Sequence, residues 1–273
     1  MVFHLPPQPD PIRSKHLTGA PDLHYPQDPR QAGALHLLAR RLEPLAALPD
    51  LVSLEECILE RWSLDRDQTV LAGRQLADPL YILDEGFAFD FSLLGGSKRH
   101  IFDFYGPGAI CKWTRPERAD TPEHIFFKAR SSVAVLDRER VAGVLARDRV
   151  LAGALHEHEV RRAMRVSQRV RALISLPARE SLRILLLDLD DEYGTTGEQR
   201  SWLPMPFTQE EIGDLIGSTS VHVSRTIASL ERDGEIERRT STFRLNNVED
   251  LRERVSYRRF FDPIEDLRTA ANG

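Results

Sequence analysis

The chain has 273 residues, 41% hydrophobic and 29% charged, with a formal net charge of −5 and only two cysteines. These values fit an ordinary soluble protein of two domains plus tails. No apolar run approaches the roughly 20 residues a spanning helix requires, the polar N-terminus is no secretory signal, and Cys57 and Cys111 make neither a disulfide framework nor a zinc set, so we expect no membrane partner and a reducing, cytoplasmic compartment.

Residues 1–30 are rich in proline, with Pro6, Pro7, Pro9, Pro11, Pro21, Pro26 and Pro29, and predict a disordered arm. Ala32–Leu48 then reads as a helix, with Leu35, Leu38, Leu42 and Leu45 in register. From about Glu60 to Leu136 the period changes to two. Leu80, Ile82, Phe87, Phe89, Phe91, Ile101, Phe102 and Phe104 sit in short runs parted by Gly73, Gly86, Gly95-Gly96 and Gly106-Pro107-Gly108, which predicts a compact antiparallel barrel or roll. We place this first domain at residues 31–147.

Asp137–Ala146 reads as a short helix, and Asp148–Leu176 as a long one, spanning residues 148–176 as a segment of its own. Along it His156, Val160, Ala163, Ser167, Val170 and Ile174 recur at alternating four- and three-residue steps, a seam suited to a partner helix. The seam holds a His and a Ser, so packing within one chain is the rival reading. Leu155, Val166 and Leu173 lie on a neighbouring face, free to pack on the chain's own roll. The arginines Arg161, Arg162, Arg165, Arg169 and Arg171 read as partners of Glu157, Glu159 and nearby acids, or as water-facing. His156 and His158 read as solvated helix positions more readily than as haem ligands or proton sensors.

Pro177 breaks the long helix and opens a third domain, residues 177–255, followed by a tail, 256–273. Ala178–Asp190 begins another helix, and the carboxylates Asp188, Asp190, Asp191 and Glu192 at its end read as solvated surface, not a metal site.

The segment Thr208–Arg239 is the most informative in the chain. Thr208 followed by Glu211 is a capping box. Ile212, Leu215 and Ile216 form one apolar face, and Gly217 ends the first helix. Ser218 or Thr219 can cap a second helix, Thr219–Asp233, whose buried stripe is Val223, Ile227 and Leu230, and Gly234 stops it. Ser220, Val221, His222, Ser224 and Arg225 are left on its exposed N-terminal half, small, polar and basic side chains of the kind that enter a major groove. The hairpin Glu235–Leu245 follows, with Thr240, Ser241 and Thr242 as its turn. Its Arg238, Arg239 and Arg244 can meet phosphates. The chain carries no Walker loop with Lys, no His-Glu-x-x-His and no Gly-x-Ser-x-Gly, so we expect no enzyme and no cofactor.

In this order the residues resemble the Crp/Fnr family of bacterial transcription regulators over roughly Glu60–Leu251. The strongest match is Glu211-Ile212-Gly213, Gly217, Thr219 and Val223-Ser224-Arg225, continued by Leu230, Gly234 and Ile236. A weaker, ordered match runs through Val70-Leu71-Ala72-Gly73, Leu80-Tyr81-Ile82-Leu83, Gly86 and Phe104-Tyr105-Gly106-Pro107-Gly108. The resemblance implies an α+β fold: an N-terminal cyclic-nucleotide-binding-type β-roll, a long dimerisation helix and a C-terminal winged helix-turn-helix. It implies a homodimer on double-stranded DNA, with RNA polymerase as a further partner. The string Ser220-Val221-His222-Val223-Ser224-Arg225-Thr226 resembles a subgroup with a VHV[NS]RT recognition helix.

The departures are as informative. The cyclic-AMP receptor type presents Arg then Glu where this chain has Ser220 and Val221; only Arg225 is kept. Arg pairs bidentately with guanine, so Arg225 is the expected base reader. Val221 can meet a thymine methyl, and Ser220 and His222 a base edge or phosphate. In the roll, Ala109-Ile110-Cys111-Lys112-Trp113 lacks the family's Gly-Glu pair, and Glu123-His124-Ile125-Phe126-Phe127-Lys128 lacks its phosphate-gripping Arg-Ser/Thr, which speaks against cyclic AMP. Cys111, Lys112 and Trp113 are the effector-pocket candidates. A neighbouring ammonium favours a reactive thiolate at Cys111, while the commoner reading is a buried packing cysteine. Two rivals stay open: a cyclic-nucleotide sensor with a divergent pocket, and a helix-turn-helix that docks protein instead of DNA.

Overall fold

The computed structural model describes residues 33–42, 51–71, 79–94, 98–111, 113, 123–194 and 202–259. The Pro-rich arm, Leu45, the Gly73 and Gly95-Gly96 turns, Lys112 and the end of the tail lie outside them. No helix among the described residues is long and apolar enough to cross a membrane.

Helix α1 (Ala34–Leu42) buries Leu35, Leu38 and Leu42, as their register predicts. After a single turn, α2 (Val52–Glu55), come β1 (Ile58–Leu64), β2 (Gln68–Leu71), β3 (Leu80–Glu85), β4 (Ala88–Leu94), β5 (Lys98–Tyr105), β6 (Ile110–Cys111), β7 (Glu123–Phe127) and β8 (Ser131–Leu136). They form two four-stranded antiparallel sheets, ordered β1-β8-β3-β6 and β2-β7-β4-β5. This is the roll that the period-two segment predicts.

Both faces of both sheets are used. In β3, Tyr81 and Leu83 point into the roll with Val133, Val135, Ala88 and Phe127. The alternate residues Leu80 and Ile82 point outward, to a cluster with Leu38 and Leu42 of α1. The second sheet divides likewise: Ala88 and Tyr105 face inward, whereas Phe87, Phe89, Phe91 and Phe104 face outward into a third cluster. In these strands the side chains alternate between the inside of the roll and an outer cluster, so both sets are apolar.

Three helices follow: α3 (Arg138–Arg147), α4 (Arg149–Ser175) and α5 (Ala178–Gly194). Asp137 and Asp148 cap the first two, each side chain accepting from two backbone N–H groups of the opening turn. The long helix ends where Leu176 turns extended (φ −117°, ψ 150°), the backbone that a following proline imposes. Leu151, Ala154 and Leu155 of α4 join the α1 cluster.

Several expectations about charge are corrected. Arg162, Arg165 and Arg169 are not solvated; they are buried and reach acids on other elements. Arg162 and Arg169 (2.7 Å) bind Asp103 of β5, and Arg165 binds Glu192 of α5. Arg161 does keep the i,i+4 pair, with Glu157 at 2.8 Å, and Arg171 is exposed. The carboxylates at the end of α5 are not solvated surface: Asp188 and Glu192 are fully buried and Asp191 nearly so. Burial pushes Asp188 up to about 6 and Asp191 up to about 7. Burial works against charge at Glu192 too, but Arg41 and Arg165 outweigh it and hold that carboxyl far below the usual range. Tyr257 Oη lies 2.8 Å from Asp188 and 3.0 Å from Asp191, so the chain stays attached past residue 255, where the sequence places the start of the tail. His158 is buried, and its basicity is lowered by burial; His156 is exposed.

Candidate nucleic-acid interface

The reading unit consists of α6 (Gln209–Ile216), α7 (Ser220–Arg232), the short strand β9 (Leu203–Pro204), the hairpin β10 (Ile236–Arg238) and β11 (Thr242–Leu245), and α8 (Val248–Arg254). The capping box is complete: Thr208 Oγ1 accepts from Glu211 N at 3.2 Å, and Thr208 N donates to Glu211 Oε2 at 2.8 Å. Gly217 takes φ +64°, the left-handed cap conformation that glycine reaches without a Cβ penalty. A second glycine is required for a different reason. A Cβ on Gly213 would lie 2.5 Å from Ser218 O, inside van der Waals contact, so the two helices close together only with Gly there. Of the two candidate caps, Thr219 is the one that caps α7, its Oγ1 accepting from His222 N at 3.3 Å.

Val223, Ile227 and Leu230 bury the inner stripe of α7. Ser220, Val221, His222, Ser224 and Arg225 are all exposed on the other side, Val221 at 60%. Thr208 and Thr219 are exposed beside them. Arg225 is exposed and forms no ion pair among the described residues. In the hairpin, Arg239 N donates to Thr242 O at 2.9 Å, so Thr242 opens β11 instead of standing in the turn. The wing arginines differ in surroundings: Arg238 Nε lies 3.1 Å from Glu231, Arg244 pairs with Glu237, and the Arg239 guanidinium carbon lies over the Trp202 ring, 3.9 Å from its centroid.

All six seam positions of α4, His156, Val160, Ala163, Ser167, Val170 and Ile174, are exposed, with Ile174 at 79%. Exposed Met164 flanks them. Of the neighbouring face, Leu155 is buried and Val166 half-buried, whereas Leu173 is 41% exposed and borders Gly217.

Cys111 and Trp113, the effector-pocket candidates among the described residues, lie in different clusters. Cys111 points into the roll and is fully buried, and burial, reinforced by the Asp90 carboxylate, pushes its thiol well above the ordinary range. That corrects the reactive-thiolate reading and leaves a packing cysteine. Trp113 sits at the edge of the α1 cluster, its carbonyl accepting from Arg138 at 2.9 Å. Lys112 lies outside the described residues.

The contact between roll and reading unit has no counterpart in the sequence expectations. Lys128 Nζ, after β7, reaches both oxygens of Glu211 at 2.7 and 2.8 Å, so the capping-box carboxylate is also held by the roll. Arg99 of β5 lies 3.4 Å from Asp214 on the next turn of α6. Beneath these pairs Phe207 meets Phe87 edge-on at 5.0 Å, closing the outward cluster of β4 and β5 over Ile212, Leu215 and Ile216.

Comparison with known proteins agrees with this architecture. Residues 139–254 match the Crp-like helix-turn-helix domain. The nitrogen fixation regulation protein FixK of Azorhizobium caulinodans is 29% identical over 176 residues, covering 63% of this chain and 68% of that protein. Among solved structures, FixK2 from Bradyrhizobium japonicum aligns with a TM-score of 0.62 at 19% identity, over 71% of this chain and 96% of that one. A CRP-family transcriptional regulator from Thermus thermophilus aligns with a TM-score of 0.54 at 21% identity, over 72% and 97%. The structural likenesses carry the fold, and the matched domain with the FixK relative supports a DNA-binding transcription regulator similar to those of the Crp/Fnr family.

Proposed function

We propose that the protein acts as a homodimer on an inverted-repeat operator, with one α7 helix from each subunit in successive major grooves about 34 Å apart. The observation that carries this reading is the exposed N-terminal half of α7, whose Arg225 has no ion-pair partner among the described residues while the opposite face is buried. Arg225 reads a guanine. Val221, Ser220, His222 and Ser224 lie close enough to it on the helix to touch neighbouring bases or phosphates. Thr208, Thr219 and the wing arginines Arg238, Arg239 and Arg244 hold the backbone. The string from Ser220 to Thr226 supports membership of the subgroup with a VHV[NS]RT recognition helix, and a half-site different from that of the cyclic-AMP receptor. Such a regulator works where the DNA is, in the cytoplasm, and its output is read by RNA polymerase.

Selection of bound sequences from a random DNA pool tests this directly. The expected product is an inverted repeat. Arg225→Ala should weaken binding by about 1–3 kcal/mol, concentrated at one base position of each half-site. An unchanged preference at every position would remove Arg225 from the reading role.

The dimer proposal rests on the exposed α4 seam. Placing a charge at its most exposed apolar position, Ile174→Asp, together with Val170→Asp, should shift the protein to monomer in sedimentation equilibrium. Both residues point away from the fold, so far-UV circular dichroism should stay at the parent value. A dimer that persists at low micromolar concentration would move the interface elsewhere.

A further inference from the structure

Trp202 stands immediately before β9, outside the helix-turn-helix, and is half-buried. Strand β9 pairs with β11, Leu203 opposite Phe243 and Pro204 opposite Thr242, and Met205 N donates to Ser241 O at 2.9 Å. The ladder therefore fixes the indole beside the wing. The Arg239 guanidinium lies 3.9 Å from its ring centroid and that of Arg244 5.3 Å. A guanidinium held over an aromatic ring spends none of its N–H donors on a carboxylate, which leaves them available for a phosphate. An arginine paired with a carboxylate has its charge offset by that partner and at least one donor engaged. Arg238 and Arg244 are in that position, with Glu231 and Glu237; Arg239 forms no ion pair among the described residues.

We propose that Trp202 is a positioning residue for DNA binding: it holds Arg239 over its ring and makes it the wing's phosphate contact, while Arg238 and Arg244 serve to brace the hairpin through Glu231 and Glu237. This rests on the DNA-binding reading and narrows it to one of three wing arginines.

The test measures affinity for the selected operator and for unrelated duplex over a range of salt, with the full-length protein. Arg239→Gln should weaken both duplexes alike and reduce the slope of log affinity against log salt by about 0.9, the loss of one phosphate contact. Arg238→Gln and Arg244→Gln should leave that slope at the parent value. Trp202→Ala should weaken binding by about two- to fivefold, and Trp202→Phe, which keeps a ring under the guanidinium, should restore most of it. In the Arg239→Gln background, Trp202→Ala should have no further effect. If it weakens that variant as much as the parent, Trp202 is merely structural and the proposal fails. It fails equally if Arg239→Gln leaves the salt slope unchanged in a parent that binds its operator. A parent that binds no duplex overturns the DNA reading itself, and this assignment with it.

Discussion

Glu192→Gln should lower the stability of the folded protein by about 3–5 kcal/mol, the cost of taking one partner out of a buried ion pair. Glu192 is fully buried and holds together four parts of the chain. Its Oε1 lies 3.0 Å from Arg41 Nη2 of α1 and accepts from Gly106 N, in the turn after β5, at 2.8 Å; its Oε2 binds Arg165 of α4. Arg41 in turn donates to Pro107 O at 2.7 Å. The glutamine keeps the shape but not the charge, and leaves two buried guanidiniums without it. Arg41→Met should cost less, because Glu192 retains Arg165 and the Gly106 amide. Urea unfolding at fixed protein concentration checks the order, since the stability of a dimer depends on concentration. A Glu192→Gln effect under about 1 kcal/mol, the range of exposed pairs, would mean that the junction carries little weight.

The pH profile gives a second readout with a definite sign. Glu192 and Asp103 are held below the ordinary carboxylate range by arginines. Their contribution is present above the unfolded value, 4.5 for Glu and 3.8 for Asp, and is lost as acid protonates the folded form. Asp188 and Asp191 run the other way. Raised by burial to about 6 and about 7, they bind protons on folding, so their contribution grows as pH falls from about 7 toward the unfolded 3.8. The parent should therefore gain stability from these two on mild acidification and lose it from the other two in strong acid. Glu192→Gln should shrink the acid-side loss alone.

The helix-turn-helix is readable from residue order because its determinants are local. The Thr208–Glu211 box, the cap at Gly217 and the three- and four-residue spacing of Ile212, Leu215 and Ile216 all act within a few turns of chain. The long helix is readable for the same reason, its ends set by Asp148 and by Pro177. What stays hidden depends on partners far along the chain. Arg162, Arg165 and Arg169 look like a solvated run until Asp103 arrives from β5 and Asp188 and Glu192 from α5. Nothing in the order of residues marks which charged helix face meets another element. Trp202 carries no signal in the sequence because no periodic pattern contains it; its neighbour is set by the β9–β11 pairing. The sequence shows a lysine beside Cys111 but not the burial inside the roll that raises its thiol.

Phe207→Ala should cost about 3–5 kcal/mol, as expected for emptying a buried aromatic site, and the loss should fall on roll and reading unit together. Phe207 is 6% exposed and sits within ring-contact distance of Phe87, Phe89 and Phe104, at 5.0, 6.4 and 5.4 Å. The same cluster takes in Leu182, Leu185 and Leu186 from α5 and Val223 and Ile227 from α7. A core continuous across both units predicts one cooperative transition. Single-tryptophan variants can report on it from each side, with Trp62 in β1 of the roll and Trp202 beside the wing. Their unfolding midpoints should coincide in the parent and move together in Phe207→Ala. Separate midpoints in the parent would mean that the two units are stabilised independently. Coincidence has a mechanical consequence for signalling. The outer face of β4 and β5 supports α6 directly, through the aromatic cluster and through the Lys128–Glu211 and Arg99–Asp214 pairs. A change in those strands then has a direct path to α6, through the side chains that join the two.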